Sequence, residues 1–203
     1  MVGSGTTLIE ARLLNRHGLG FDINQKAVDI AEKRLEFGVD NPSKQKVYLG
    51  DVRNLATLED NSVDLILTHP PYADIIKYSN GKNPNDLSSI SDISNFLTEL
   101  ETGLLELFRV LKPDRYCAIL IGDTRRAQHY VPLSHFLLQR CLKSGFILKE
   151  QIIKTQHNTR YAGRWASKAS AYGFYLIMHE HLFIFRKPKR GEDTAKFRYS
   201  MAL

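Results

Sequence analysis

The feature that most constrains this chain is a strict alternation of helix-periodic segments with short apolar runs, beginning within its first residues. Residues 6–16 carry Leu8, Ile9, Leu13 and Leu14 at helical spacing, and Gly18 follows as a terminator. Residues 18–23 have the length and apolarity of a buried strand. Asn24 then opens a second helix, whose inner face is Ala27, Val28, Ile30, Ala31 and Leu35, and Gly38 closes it. Strands are predicted over residues 46–49, 63–68 and 116–121. A long amphipathic helix starts near Asp92, turns Phe96, Leu97, Leu100, Leu104 and Leu107 inward, and stops at Lys112-Pro113. A further helix spans residues 131–142, and residues 146–154 and 181–186 read as a closing antiparallel strand pair. Residues 73–91 are polar and aperiodic and read as a mobile loop, while the charged tail from Lys187 reads as frayed. Short strands alternating with helices predict an α/β domain with a mostly parallel sheet, an antiparallel last strand and helices on both faces.

At 203 residues and 43% hydrophobic content the chain suits one domain with one core. The formal net charge of +6 favours a polyanionic partner. Cys117 and Cys141 lie in apolar runs with no Cys/His spacing suited to zinc, so reduced core thiols and no metal are expected. No apolar run has the length of a membrane span, and no basic segment followed by a hydrophobic stretch opens the chain, so a cytoplasmic location without a membrane partner is expected.

The polar clusters all fall at predicted strand ends, where open α/β sheets bind ligands. Gly3-Ser4-Gly5-Thr6 precedes a helix, so backbone and free N–H groups can approach a ligand closely. It is not a P-loop, because no Lys follows, and Leu8 stands where a dinucleotide fingerprint needs its third glycine. Asp22, followed by Ile23, is placed to accept from ribose hydroxyls, although a helix N-terminal acid has the same pattern. Asp51 can accept from an exocyclic amine while Val52 packs on its ring; a simple Gly-Asp turn is the alternative. His69-Pro70-Pro71-Tyr72 fixes a rigid, extended backbone, removes two N–H donors and leaves carbonyls free beside an aromatic ring.

The glycine loop, the acids after two successive strands and x-Pro-Pro-Tyr after the next resemble the S-adenosylmethionine-dependent amino-methyltransferases. That family includes adenine-N6 and cytosine-N4 DNA methyltransferases and related tRNA-guanine enzymes. The resemblance spans residues 2–188 and implies a Rossmann-like methyltransferase sheet, with residues 189–203 as a tail. It implies that Gly3, Ser4 and Gly5 line the methionine part of S-adenosylmethionine, that Asp22 holds the ribose and Asp51 the adenine amine, and that Thr6, Ile23 and Val52 belong to the same cofactor-binding set. His69 and the Pro70 carbonyl would accept from the target amine, Pro71 would hold the corner rigid, and Tyr72 would stack on the target base.

Two departures qualify that match. The family usually has Asp, Asn or Ser at position 69, whereas His69 accepts only through an unprotonated ring nitrogen. The family also places a central strand before the glycine loop, so a partner chain or an upstream segment is expected to complete the sheet. Residues 155–178 contain no acid and interleave Arg160, Arg164 and Lys168 with Tyr161, Trp165 and Tyr172, a pattern suited to phosphates and unpaired bases. Arg125 and Arg126 extend this basic set, although packing of the aromatics on the domain is the alternative. DNA is the expected partner ahead of RNA. The rival readings are a tRNA guanine-N2 methyltransferase, a protein-glutamine methyltransferase and a non-catalytic partner subunit; a nicotinamide dehydrogenase fits least.

Overall fold

The computed structural model describes residues 1–79, 83–157 and 162–202, without the side chains of residues 162 and 164. Helix α1 (Thr6–Leu13) leads into strand β1 (Gly18–Asp22), helix α2 (Gln25–Arg34) and strand β2 (Gln45–Leu49), with β1 and β2 paired in parallel. Gly5 opens α1 at φ 79°, and a Cβ there would lie 3.0 Å from the Cβ of Ala31. Glycine therefore sets how closely the loop approaches α2. The side chain of Asn24 caps α2 by accepting from the Lys26 N–H. Val28, Ala31 and Leu35 form the buried stripe of that segment. Ile30, expected inward, is half exposed because it falls outside the i, i+3, i+7 stripe, and Leu13 and Leu14 of the first helical segment are exposed as well.

Strand β3 (Val63–Thr68), helix α3 (Ile93–Val110) and strand β4 (Leu111–Ile121) follow. A small hairpin, β5 (Thr124–Arg126) and β6 (His129–Val131), then precedes helix α4 (Leu133–Lys143), strand β7 (Ile147–Thr155), helix α5 (Ala162–Tyr172) and strand β8 (His179–Arg186). The four-stranded sheet has the order β3-β4-β8-β7, with β3 parallel to β4 and β8 antiparallel to both of its neighbours. Asp92 caps α3 through the Asn95 N–H at 2.8 Å. The helix ends at Val110, ahead of the expected Lys112-Pro113 stop, and the strand begins at once. Pro113, which has no N–H to give, sits where the β3–β4 register shifts.

Across the antiparallel register Cys117 stands opposite Phe185 and Ile119 opposite Phe183. Phe96, Leu100, Leu104 and Leu107 from α3, Leu137 and Cys141 from α4, and Phe146 complete this core. Both cysteines are buried free thiols, and burial pushes Cys117 up to about 12. The opposite face is less covered, since Leu65 and Leu67 are each more than half exposed. The sheet is also interrupted. Among the described residues β1 and β3 share no ladder; Met1 lies between the two-stranded and four-stranded parts, its amino group donating to the Phe21 carbonyl and its sulfur accepting from the Thr68 hydroxyl at 3.7 Å.

Two polar segments are more ordered than their composition predicts. In the loop after Tyr72, Asp86, Leu87 and Ser88 are buried, and the Asp86 carboxylate accepts from the N–H groups of Ser79 and Ser88, each at 2.9 Å. Such local side-chain bonds need no periodic pattern, so periodicity misses them. The tail is docked and not frayed. Arg186 pairs with Glu192 at 2.9 Å and with Asp114 at 3.0 Å, and its guanidinium lies 5.1 Å from the Phe197 ring centroid. Among the described residues no helix is long and apolar enough to cross a membrane.

Because Phe183 is fully buried in the core shared by α3, α4 and β4, Phe183→Ala is expected to cost about 3–5 kcal/mol of folding free energy. Ile30→Ala, on the exposed side of α2, should cost under about 0.5 kcal/mol. Urea denaturation followed by circular dichroism measures both.

Candidate active site

The carboxyl ends of β1, β2 and β3 open onto one cavity of about 340 Å3. Gly3, Asp22, Ile23, Asp51 and Val52 line one part of it, and His69 and Pro71 close another. Pro70 lies outside this cavity, against a small apolar pocket under α3. Ser4, Gly5 and Thr6 do not line the cavity: Gly5 packs on α2, while the Ser4 and Thr6 hydroxyls face each other at 3.4 Å and the Arg34 guanidinium donates to the Ser4 carbonyl at 2.6 Å. Thr7 takes their place in the lining. Tyr78, Asn85, Asp86 and Leu87 supply a wall that the polar composition of their loop conceals. The Asp86-Leu87-Ser88-Ser89 stretch, an acid followed by serines as in a helix cap, is the signal from which it can be read.

Both acids are held in place. One carboxylate oxygen of Asp22 accepts from the N–H groups of Val2 at 3.0 Å and Gly3 at 3.1 Å, and the other accepts from Asn24 at 3.0 Å. It thus ties the glycine loop to the end of β1. Asp51 is gripped by Arg53, whose Nε donates to both carboxylate oxygens at 3.0 Å and whose second nitrogen reaches Oδ2 at 2.5 Å. The same guanidinium pairs with Glu99 and donates to the Asn85 carbonyl at 2.6 Å, linking the acid to α3 and to the loop wall. Partners of this kind fix an acceptor before a ligand arrives.

The His69-to-Tyr72 corner is tied to β8. The Nε2 of His69 lies 2.6 Å from the Tyr72 hydroxyl, which donates to Glu180. Glu180 is buried, and its other oxygen accepts from Lys154 Nζ at 2.7 Å. Burial opposes the charge on Glu180, but hydrogen bonds from Lys154, Tyr72 and Gln156 hold it below the usual carboxylate range. Burial first, and Glu180 second, push Tyr72 above the usual phenol range, so it stays protonated. Partial desolvation, reinforced by Lys154 and opposed by Glu180, holds His69 below the ordinary imidazole value. Sequence pattern gave no sign of Glu180, which sits in an otherwise ordinary strand.

Among the described residues, the members of the basic set have separate partners. Arg125 lies 4.6 Å over the Phe174 ring and donates to the Tyr175 carbonyl at 2.6 Å, and Arg126 pairs with Asp74. On α5, Trp165 is half exposed, with Lys168 Nζ 5.0 Å from its ring centroid. Arg160 and Tyr161, and the side chain of Arg164, lie outside the described residues. No metal site is expected from the sequence, yet among the described residues Asp123, His179 and His181 bring ligand atoms within 4.8 Å of one another. Asp123 already accepts from the Ser134 N–H at 2.8 Å and hydroxyl at 3.0 Å, and so serves the start of α4.

Known proteins share the fold and part of the sequence. The fold matches an S-adenosylmethionine-dependent methyltransferase of Methanosarcina mazei with TM-score 0.62 and 16% identity, over 93% of this chain and 90% of that one. A protein of Thermus thermophilus described as a DNA modification methylase aligns with TM-score 0.51 and 29% identity, over 74% of this chain and 56% of that one. The fold is that of the S-adenosylmethionine-dependent methyltransferases. A DNA methylase profile matches residues 63–201, and an RMKL-like methyltransferase domain profile matches residues 1–87. The chain belongs to the DNA methylase family. Curated relatives include the type II methyltransferase M.BglII of Bacillus subtilis, 29% identical over 64% of this chain and 37% of that protein. M.MjaI of Methanocaldococcus jannaschii is 26% identical over 81% of this chain and 63% of that protein. The chain therefore spans less than two thirds of the length of either.

Gly122 fixes the Tyr72 ring, because a Cβ at this position would lie 2.6 Å from ring carbon Cε2. Gly122→Ala is expected to destabilise the fold by about 1–3 kcal/mol through overpacking, measured as a lowered urea midpoint.

Proposed function

We propose that this chain binds S-adenosylmethionine in the cavity and directs its methyl group to an exocyclic amine of a nucleic-acid base, DNA adenine-N6 or cytosine-N4 first. The observation that carries the reading is the convergence of Gly3, Asp22, Asp51 and His69, from three strand ends and a glycine loop, on one cavity. Its volume of about 340 Å3 suits a small-molecule site, typically about 300–1,000 Å3. Asp22 and Asp51 offer fixed acceptors for hydroxyl and amine groups, and Ile23 and Val52 offer apolar contact for a ring between them. The donor set fits the group.

When bound, S-adenosylmethionine supplies an electrophilic methyl on a sulfonium. The protein's part is to orient the nucleophile. An exocyclic amine is weakly nucleophilic because its lone pair is delocalised into the ring. An acceptor at His69, the first residue of the corner lining the cavity, would hold an amine hydrogen out of the ring plane and turn the lone pair toward the donor. Tyr72, pinned against Gly122, would stack on the base with its remaining surface. A duplex target has to be flipped out of its stack. The net charge of +6 and the exposed Trp165, with Lys168 beside its ring, suit a polyanion bearing unpaired bases.

The absence of a ladder between β1 and β3 among the described residues favours a second reading, in which methyl transfer requires a further strand there, supplied by another segment or a partner chain. Incubation with tritiated S-adenosylmethionine and separate DNA, tRNA and protein pools tests both. Label in DNA that is lost in His69→Ala and Tyr72→Ala supports the proposal; label in tRNA or protein alone replaces its substrate. Absence of label together with tight donor binding favours the strand-requiring subunit.

Activity should also fall with acid, because only neutral imidazole accepts. As His69 is held below its ordinary value of 6.5, the loss should begin only below that pH. A rate unchanged through the pH at which NMR shows the His69 ring gaining its proton would count against His69 as the acceptor.

A further inference from the structure

We infer that Glu180 acts through the Tyr72 hydroxyl to fix His69 in the Nε2–H tautomer, leaving Nδ1 as the bare acceptor for the target amine. The inference rests on the proposed methyl transfer for its purpose, but its geometry stands alone. Three contacts carry it: two have set donors, and the third takes its direction from them.

Lys154 Nζ donates to one oxygen of the buried Glu180 at 2.7 Å, which leaves that carboxylate an acceptor only. The Tyr72 hydroxyl has a single proton and gives it to the other oxygen of Glu180. His69 Nε2, 2.6 Å from the Tyr72 oxygen, therefore meets an acceptor and must itself carry the hydrogen. In a neutral imidazole the proton on Nε2 leaves Nδ1 bare. Among the described residues, Nδ1 of His69 has no hydrogen-bond partner, and His69 lines the cavity. The charged and titratable groups facing the ring are Tyr72 from its own corner, Glu180 from β8 and Lys154 from β7.

The arrangement resolves the chemical problem posed by histidine at this position. Asp, Asn and Ser present an oxygen acceptor whatever their surroundings. A histidine does so only when the proton is kept on its far nitrogen, and a second residue has to enforce that choice. Glu180 is thus a positioning residue: it touches neither the base nor the donor. The contact of Gly122 with the Tyr72 ring keeps the relay rigid.

Long-range proton–nitrogen NMR of the full chain, labelled with 15N-histidine, tests this without donor or substrate. The His69 signals are assigned by their loss in His69→Gln. The wild-type protein at neutral pH should show the Nε2–H form. In Glu180→Leu the Tyr72 hydroxyl, deprived of its acceptor, should turn to His69 Nε2 and shift the ring to the Nδ1–H form. Glu180→Gln, which keeps an oxygen acceptor, should retain the wild-type tautomer. With substrate, Glu180→Leu should lower kcat by roughly a hundredfold with little change in KM, and Glu180→Gln should restore most of it. A wild-type Nδ1–H spectrum, or one unmoved by Glu180→Leu, overturns the inference whatever the transfer assay gives. An Nε2–H spectrum that shifts as expected supports it, and an absence of transfer to any pool would then count against the functional reading instead.

Discussion

The site depends on β8 lying antiparallel between β4 and β7. That pairing sets His181 opposite Ile121, so the start of β8 meets the carboxyl end of β4. Were β8 parallel to β4, its first residues would lie at the far end of the sheet, and Glu180 would lie away from the Tyr72 hydroxyl. The reversal brings Glu180 and, through β7, Lys154 to the side where the strands release their ligand-facing residues. A feature usually described as topology thus supplies the chemistry of the corner at His69.

Much of this was legible from residue order. Apolar runs bounded by polar clusters marked the strands, and residues 63–68 matched β3 at both ends. The positions of Asp22, Asp51 and His69 followed, because side chains at strand ends share one side of a parallel sheet. What escaped the pattern had short-range or tertiary causes. The β5–β6 hairpin turns through Ala127 and Gln128, both at positive φ, where a sequence reading looks for glycine or asparagine. The buried loop around Asp86 is held by its own side-chain bonds, and the tail by an ion pair reaching back to β8. Glu180 was hidden for another reason: a buried acid in an apolar strand is intelligible only once its partners from distant segments are known.

The acids of the cavity are not free groups awaiting a ligand. Asp22 is satisfied by loop N–H groups and Asp51 by Arg53, so their orientations are set in the absence of any bound molecule. Satisfied carboxylates present fewer spare lone pairs but lose less entropy on binding, the usual basis of preorganised recognition. Arg53 also couples α3, the loop wall and Asp51 through one guanidinium, so a shift of that loop is felt at the cavity floor.

The interrupted sheet has a colloidal consequence. Residues 1 and 2 fill part of the break, but the strand edges on either side, with Leu19 exposed on one margin and Leu65 and Leu67 on the other, are a template of the kind an extended peptide can pair with. Nothing in that template discriminates a proper complement from a second molecule of the same polypeptide. Handling at high concentration thus favours oligomers joined edge to edge, and a short peptide that seals the cleft would act as a solubiliser as well as a structural mend.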